Sequence, residues 1–543
     1  MNDDRLEPGA SVEAALASRP SLETLERTID ALIRNEVPGP VIESLRAAGE
    51  RVLGGGPPHT DLIDGLAAAA VDPRVLGFEA MTSETPAATA PGPIVLAGLG
   101  SVGLLLALLN AARAGSDGYR PRLYLIEPDA DVAAVAFASI ELAAVAGDIC
   151  VSLHIGDSWA ASFERSLRLQ ADYSLPAIAL SSDPSSDFAS HAGRLIAAAR
   201  DAQAAEVSRL RARVEAMRRD RSPAWWSDRY ERALSSDRED GPLRVLVLST
   251  RYATYVDQAA SRLAAAIDGS GNAVSKLVVE PSNNLKMTAA ACLSAHADFD
   301  PDLVISINWP RATLGAGWPG GVPSVCWVQD MMPQLLDREV GSAQGPLDFL
   351  VGLVHGSLAR DFGYPRERRL FGPTPGCART FGIGSSSTRT TEVDERFRCD
   401  VAYLSHQSGS PDRLVSAAIS AHGGGAGVRS LIGGLAADIR ASVGGIEGFE
   451  RSPDIHGMCA DRMRQELGRE PEAEAIARLH MLFGLPYAER FLRHQTLDWA
   501  REICRRHGLR LRLFGRGWER HESLAAYAAG DAAPGEDLRR AYA

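Results

Sequence analysis

Ile94-Val95-Leu96-Ala97-Gly98-Leu99-Gly100-Ser101-Val102-Gly103 is the stretch that decides the fold of this chain. Four apolar residues read as a short buried strand. A G-x-G-x-x-G follows, and then a leucine-rich helix. Glycines there allow a tight turn and let a ligand approach the backbone, while the helix N-terminus presents unpaired N–H groups. The next strand, 123–126, runs into Glu127-Pro128-Asp129. Glu127 lies 24 residues beyond Gly103, close to the roughly 20 expected of an acidic residue that accepts ribose hydroxyls. A third strand, 151–155, ends in Gly156-Asp157, where a polar contact to a base is expected. Gly98, Gly100, Gly103, Glu127 and Asp157 are thus candidates for binding a nucleotide-type cofactor. The plainer reading of the same glycines is a strand–helix turn.

Outward from this stretch the pattern repeats. A helix over 132–146 separates the second and third strands, and strands alternating with helices indicate a parallel, doubly wound sheet. A long helix follows, with Val207, Leu210, Val214 and Met217 as an apolar stripe among arginines. Residues 233–242 read as a polar linker. A second α/β block then has strands at 243–248, 303–307, 324–328 and 349–354. A third opens with 401–404, and about a hundred mostly helical residues precede its next clear strand, 509–514. Before all of this, residues 10–80 read as short amphipathic helices: Leu22, Leu25, Ile29 and Leu32 share one face.

The composition fits this picture. The 543 residues are 45% hydrophobic and 23% charged, enough for three or four ordinary globular domains, and they exclude a collagen, a disordered tail or a disulfide mini-scaffold. A net charge of −12 argues against nucleic acid as the main partner. The seven cysteines include no C-x-x-C pair, which suits a reducing cytoplasm. Only two lysines, Lys276 and Lys286, stand among the 57 cations, a bias of base composition and not a functional signal. The acidic N-terminus has no basic-then-apolar leader, and the longest apolar stretch, 94–109, is broken by glycines and too short to span a bilayer. A soluble, cytoplasmic protein without a transmembrane segment is expected.

Two resemblances add to this. Val95-Leu96-Ala97-Gly98-Leu99-Gly100, Leu125-Ile126-Glu127-Pro128-Asp129 and Ile155-Gly156-Asp157 together resemble methyltransferase-like Rossmann domains, most of all those of the motility accessory factor and hydroxymethylpterin diphosphokinase-like families. That resemblance implies S-adenosylmethionine or another nucleotide at the glycine loop. No methyl-transfer signature follows; Ser181-Ser182-Asp183-Pro184 is the nearest approach and reads as a turn.

Further on, Asp302-Leu303-Val304-Ile305-Ser306-Ile307-Asn308 and Val322-Pro323-Ser324-Val325-Cys326-Trp327-Val328-Gln329-Asp330 look like the amino-terminal half of CgeB-like (spore-maturation type) glycosyltransferases. Asp400-Val401-Ala402-Tyr403-Leu404-Ser405-His406-Gln407-Ser408 looks like the opening of their carboxy-terminal half. Leu511-Arg512-Leu513-Phe514-Gly515-Arg516-Gly517-Trp518-Glu519, followed by Gly535-Glu536-Asp537-Leu538-Arg539-Arg540-Ala541-Tyr542, is the most specific match. The resemblance covers about residues 243–543 and rests on the order and spacing of these motifs.

It implies a GT-B-like pair of Rossmann-like domains, here preceded by an accessory one: a helical segment at 1–90, the accessory domain at 91–235, an acceptor domain at 243–398 and a donor domain at 399–543. The implied reaction is metal-independent transfer from a nucleotide-sugar to a hydroxyl on a glycan or protein of bacterial type. Helix dipoles and side chains would neutralise the leaving diphosphate. Asp129-Ala130-Asp131 has the spacing of a metal motif but belongs to the accessory domain.

Asp330, at a strand's carboxyl end, is the candidate general base, or else a turn cap. His355 is the alternative base, or a structural histidine. Asn308 would orient the acceptor. Ser405, His406, Gln407 and Ser408, with Gly515, Arg516 and Gly517, would bind donor phosphates, or else form hydrogen-bonded turns. Trp518 reads as packing.

In the family the donor site continues past this point, so the third block is expected to look truncated, with few strands and an open apolar edge. Such a chain would be an inactive fragment or a non-catalytic remnant. S-adenosylmethionine-dependent methyl transfer is the alternative activity.

Overall fold

The computed structural model describes residues 22–34, 39–53, 92–100, 104–105, 108–109, 119, 121–139, 150–176, 178–182, 186–235, 241–282, 284–330, 332–354, 356–372, 395–444, 454–532 and 536–542. Gly103 and His355 lie outside them. The chain forms two compact units, Met1–Pro373 and Thr374–Ala543.

The first unit holds two parallel sheets. In the smaller, β1 (Ile94–Ala97), β2 (Arg122–Glu127), β3 (Cys150–Ile155) and β4 (Ile178–Ser181) lie in the order β3-β2-β1-β4. All four residues of β1 are buried, as a parallel strand covered on both faces must be. Ile94 and Leu96 face a core shared with α1 (Leu22–Arg34), α2 (Gly39–Leu53) and α3 (Ala130–Ala138). The amphipathic helices near the amino terminus therefore complete this sheet's core. Val95, on the opposite face, packs with Phe163 of α4 (Trp159–Leu169) and Ile196 of α5 (Asp187–Arg218). Truncating a residue as buried as Leu96 to alanine costs about 2–5 kcal/mol.

Asp183 and Pro184 of the expected turn lie outside the described residues. Ser181 ends β4, paired with Ala97, and the Ser182 N–H donates to the Ala97 carbonyl at 3.1 Å.

The larger sheet runs β10-β9-β8-β7-β5-β6, all parallel: β5 (Leu243–Leu248), β6 (Ala273–Val278), β7 (Leu303–Ile307), β8 (Ser324–Val328), β9 (Asp348–Gly352) and β10 (Arg369–Phe371). Val245 and Val247 pack against α7 (Thr254–Gly269) on one face. Leu246 and Leu248 pack on the other with Trp226 of α6 (Pro223–Leu234) and Cys292 of α8 (Ala289–Phe299).

At 32 residues, α5 is about 48 Å long and serves both sheets. Ala192 and Ile196 sit in the smaller sheet's core, while Leu210 and Val214 of the expected stripe pack on Leu293 and Ala297 of α8. Beyond it, Arg221 binds Asp300 through two 2.8 Å bonds, and the Ser174 N–H donates to the Lys286 carbonyl.

The second unit pairs β11 (Val401–Leu404) with β12 (Leu511–Phe514), in parallel. Between them, α9 (Pro411–Ala421), α10 (Ala426–Val443), α11 (Ile455–Leu467) and α12 (Leu485–His507) surround Leu435, Ile439, Cys459 and Tyr487. One strand pair among the described residues matches the expected scarcity of strands. The expected open edge is corrected on the β12 side. Ala528 bridges Leu513 there, the Ala529 N–H donates to the Leu513 carbonyl, and the Gly515 N–H donates to that of Gly530. A looped segment thus satisfies the edge that a further strand would have covered.

Candidate functional site

The carboxyl ends of β11 and β12 bring together the expected phosphate-binding residues. The ladder continues beyond the strands: the Ser405 N–H donates to the Phe514 carbonyl at 3.0 Å and the Gln407 N–H to that of Arg516 at 2.9 Å. Gly515 has φ +140°, and a Cβ there would lie 2.3 Å from the Ser405 carbonyl oxygen. Gly517 has φ +94°, and its Cβ would lie 2.9 Å from Gln407 Oε1. Both positions require glycine because the two loops touch.

Between these glycines Arg516 projects outward. Its backbone N–H donates to His406 Nδ1 at 3.0 Å, and its guanidinium lies 3.2 Å from His406 Nε2. The Arg516 and His406 side chains are 70% and 55% exposed, so both are open to a ligand. Asp531 stands 3.8 Å from Arg516 Nε and is itself half-exposed, a separation at which solvent screens the pair strongly. Trp518 is fully buried, and its indole N–H donates to the Ser405 carbonyl at 2.7 Å, which makes it packing.

Two histidines that the sequence reading missed stand behind the first loop. His494 Nε2, on α12, lies 3.3 Å from both the hydroxyl and the carbonyl oxygen of Ser408. His494 Nδ1 lies 3.3 Å from Nε2 of His521. Burial, with His521 alongside, lowers the pKa of His494. A helix 86 residues after Ser408 carries no local spacing signal for this contact.

In the first unit, Gly98 adopts φ +91°, with space for a Cβ closed off by Ser182 Oγ at 2.2 Å; Gly100 lies beside the same hydroxyl. Glu127 is buried and turned into its own loops. Oε2 accepts the Leu99 N–H at 2.8 Å and Oε1 the Asp129 N–H at 3.0 Å. Burial raises its pKa, and these two bonds oppose the rise. The carboxylate expected to face a ribose thus clamps the glycine loop to the end of β2. Asp157 is exposed on the turn after Gly156.

On the larger sheet, Asn308 and Asp330 meet at the ends of β7 and β8. Asn308 is buried at φ +60°, a left-handed conformation that asparagine tolerates better than most side chains. Its Oδ1 accepts the N–H groups of Gln329 at 2.7 Å and Asp330 at 3.2 Å, and its Nδ2 is 3.5 Å from Asp330 Oδ2. Asn308 therefore fixes the Asp330 backbone, while the Asp330 side chain is exposed. Beside it, the buried amide of Gln329 has no hydrogen-bond partner among the described residues.

Among the described residues no helix is long and apolar enough to cross a membrane. Comparison with family models, with curated proteins and with solved structures finds no match for this chain.

Proposed function

We propose that the chain is a glycosyltransferase that moves a sugar from a nucleotide-sugar donor to a hydroxyl acceptor on a glycan or protein. The observation that carries this reading is the zipped loop pair of the second unit. Arg516 and His406 stand exposed together at the carboxyl ends of parallel strands, where ligands of such sheets gather. A guanidinium on a glycine-flanked loop suits a diphosphate.

In the reaction, the bond from the anomeric carbon to the phosphate oxygen breaks and its electron pair stays on the diphosphate. Arg516, with His406, would stabilise that charge without a resident metal. The acceptor oxygen bonds to the anomeric carbon, and its proton passes to a base. Asp330, its backbone held by Asn308 and its side chain exposed, is the carboxylate we assign to that step.

Methyl transfer has weaker support, because Glu127 is buried and its two oxygens hold the Leu99 and Asp129 N–H groups of its own loops. Incubating the full chain with UDP- and GDP-sugars and measuring release of the nucleoside diphosphate tests the proposal. Release that Arg516→Ala abolishes supports it, and methyl transfer from S-adenosylmethionine without sugar transfer would replace it.

A further inference from the structure

The contacts behind the first loop have a direction. The Ser523 N–H donates to His521 Nδ1 at 3.3 Å, so that nitrogen must be bare and the proton of a neutral His521 sits on Nε2. His521 Nε2 in turn faces His494 Nδ1, which must accept, so the His494 proton also sits on Nε2 and points at the Ser408 carbonyl. One tautomer of each ring satisfies the whole chain. The opposite assignment sets an imidazole N–H against the Ser523 N–H. A second proton on His494 goes to Nδ1 and sets two N–H groups face to face between His494 and His521.

We propose that His494 is the positioning residue of the loop 405–408, holding it in ligand-binding shape through the chain Ser523–His521–His494–Ser408, and that protonation of His494 releases it. What the loop binds rests on the donor reading above; that the pair holds the loop does not.

Other charges face the pair. Arg493 and Asp498 lie on the same helix as His494, Arg493 opposing a second positive charge and Asp498 favouring it. Asp498 is paired with Arg501 at 3.2 Å, and Arg501 Nη1 also reaches the Ser523 carbonyl at 3.4 Å. The Trp518 ring lies 5.8 Å from that of His521. Arg413 and Arg490 approach the loop at Gly409. Burial and the neighbouring ring outweigh Asp498, in keeping with the lowered pKa of His494.

The Ser405 and Gln407 amides bond across to the second loop, which makes their hydrogen exchange a local reporter. Exchange of the 405–408 segment in the full chain, corrected for intrinsic rate, is followed from about pH 7.5 down to about pH 4.5, because burial places the His494 transition below the ordinary histidine range. In the unmodified chain, protection falls about tenfold per pH unit below the transition. His494→Gln, whose amide can donate to Ser408 and accept from His521 without titrating, stays protected across the range. His494→Ala is unprotected throughout. Equal pH dependence in the unmodified chain and His494→Gln, or full protection in His494→Ala, overturns the proposal.

UDP-glucose titration on the same proteins separates the two readings. If exchange behaves as described but no UDP-glucose binds at the higher pH, the positioning role stands and the donor reading falls for that sugar.

Discussion

The carbonyl oxygen of Ser405 lies 2.3 Å from where a Cβ on Gly515 would stand, so the loops after β11 and β12 meet backbone to backbone. Gly515→Ala must open this contact and also impose φ +140° on a residue with a side chain. The second unit should lose about 2 kcal/mol or more in a denaturant titration, while an alanine at the open Gly468 costs less.

Arg516→Ala tests binding without that complication, because the side chain is exposed and its loss leaves no buried group unpaired. Charge-assisted bonds of about 1.5–3 kcal/mol correspond to a roughly 10–100-fold loss of affinity for a nucleotide-sugar, with the melting temperature unchanged. Arg516→Lys should fall between, since lysine supplies charge without the planar fork.

Asp330→Asn keeps the backbone that Asn308 clamps and removes only the proton-accepting carboxylate. Turnover should drop about 10²–10⁴-fold, as expected for loss of a general base, with donor affinity and folding intact. Unchanged kcat would remove Asp330 from the mechanism.

Glu127→Gln places an amide NH2 against the N–H of Leu99 or of Asp129. A buried clash of donors costs about 1–3 kcal/mol, readable as a lower denaturation midpoint. Sugar transfer per folded molecule should be unaffected.

Two buried histidines make the first unit less stable toward acid. His154, held between Ser152 and Ser162, has its pKa lowered by burial to about 4, and His296 beside Arg218 is lowered by burial to about 3. Their folded values lie below an unfolded value near 6.5, so the unfolded chain binds the extra protons first. The stability they contribute is complete above about pH 6.5 and falls as pH drops through the window toward their folded values, by about 2 kcal/mol each at pH 5. Denaturation midpoints from neutral to acid pH check this, and His154→Gln should flatten the fall.

Much of the fold was legible because parallel strands buried on both faces are continuous apolar runs. The strands at 94–97, 243–248, 303–307 and 324–328 are read at their observed bounds for that reason, whereas 401–404 is apolar in sequence but half-exposed. The missed strands β6 and β10 are sheet edges: Ala273–Val278 carries Ser275 and Lys276, and Arg369–Phe371 is three residues long. The missed β4 is a four-residue run just after Pro176.

At the site, Gly515, Arg516 and Gly517 were visible as a local motif. His494 and His521 were not, because only the packing of α12 behind the loop brings them to Ser408. Nor does spacing reveal that Glu127 faces inward, since its partner is the Leu99 backbone N–H, which has no sequence signature.

The central claim is that the loop pair around Arg516 binds a nucleotide-sugar. Calorimetric titration of the full chain and of Arg516→Ala with UDP- and GDP-sugars, with S-adenosylmethionine in parallel, measures this directly. The account predicts saturable binding of one nucleotide-sugar that weakens about 10–100-fold in Arg516→Ala. Binding of S-adenosylmethionine alone, or nucleotide-sugar binding that Arg516→Ala leaves intact, would contradict it.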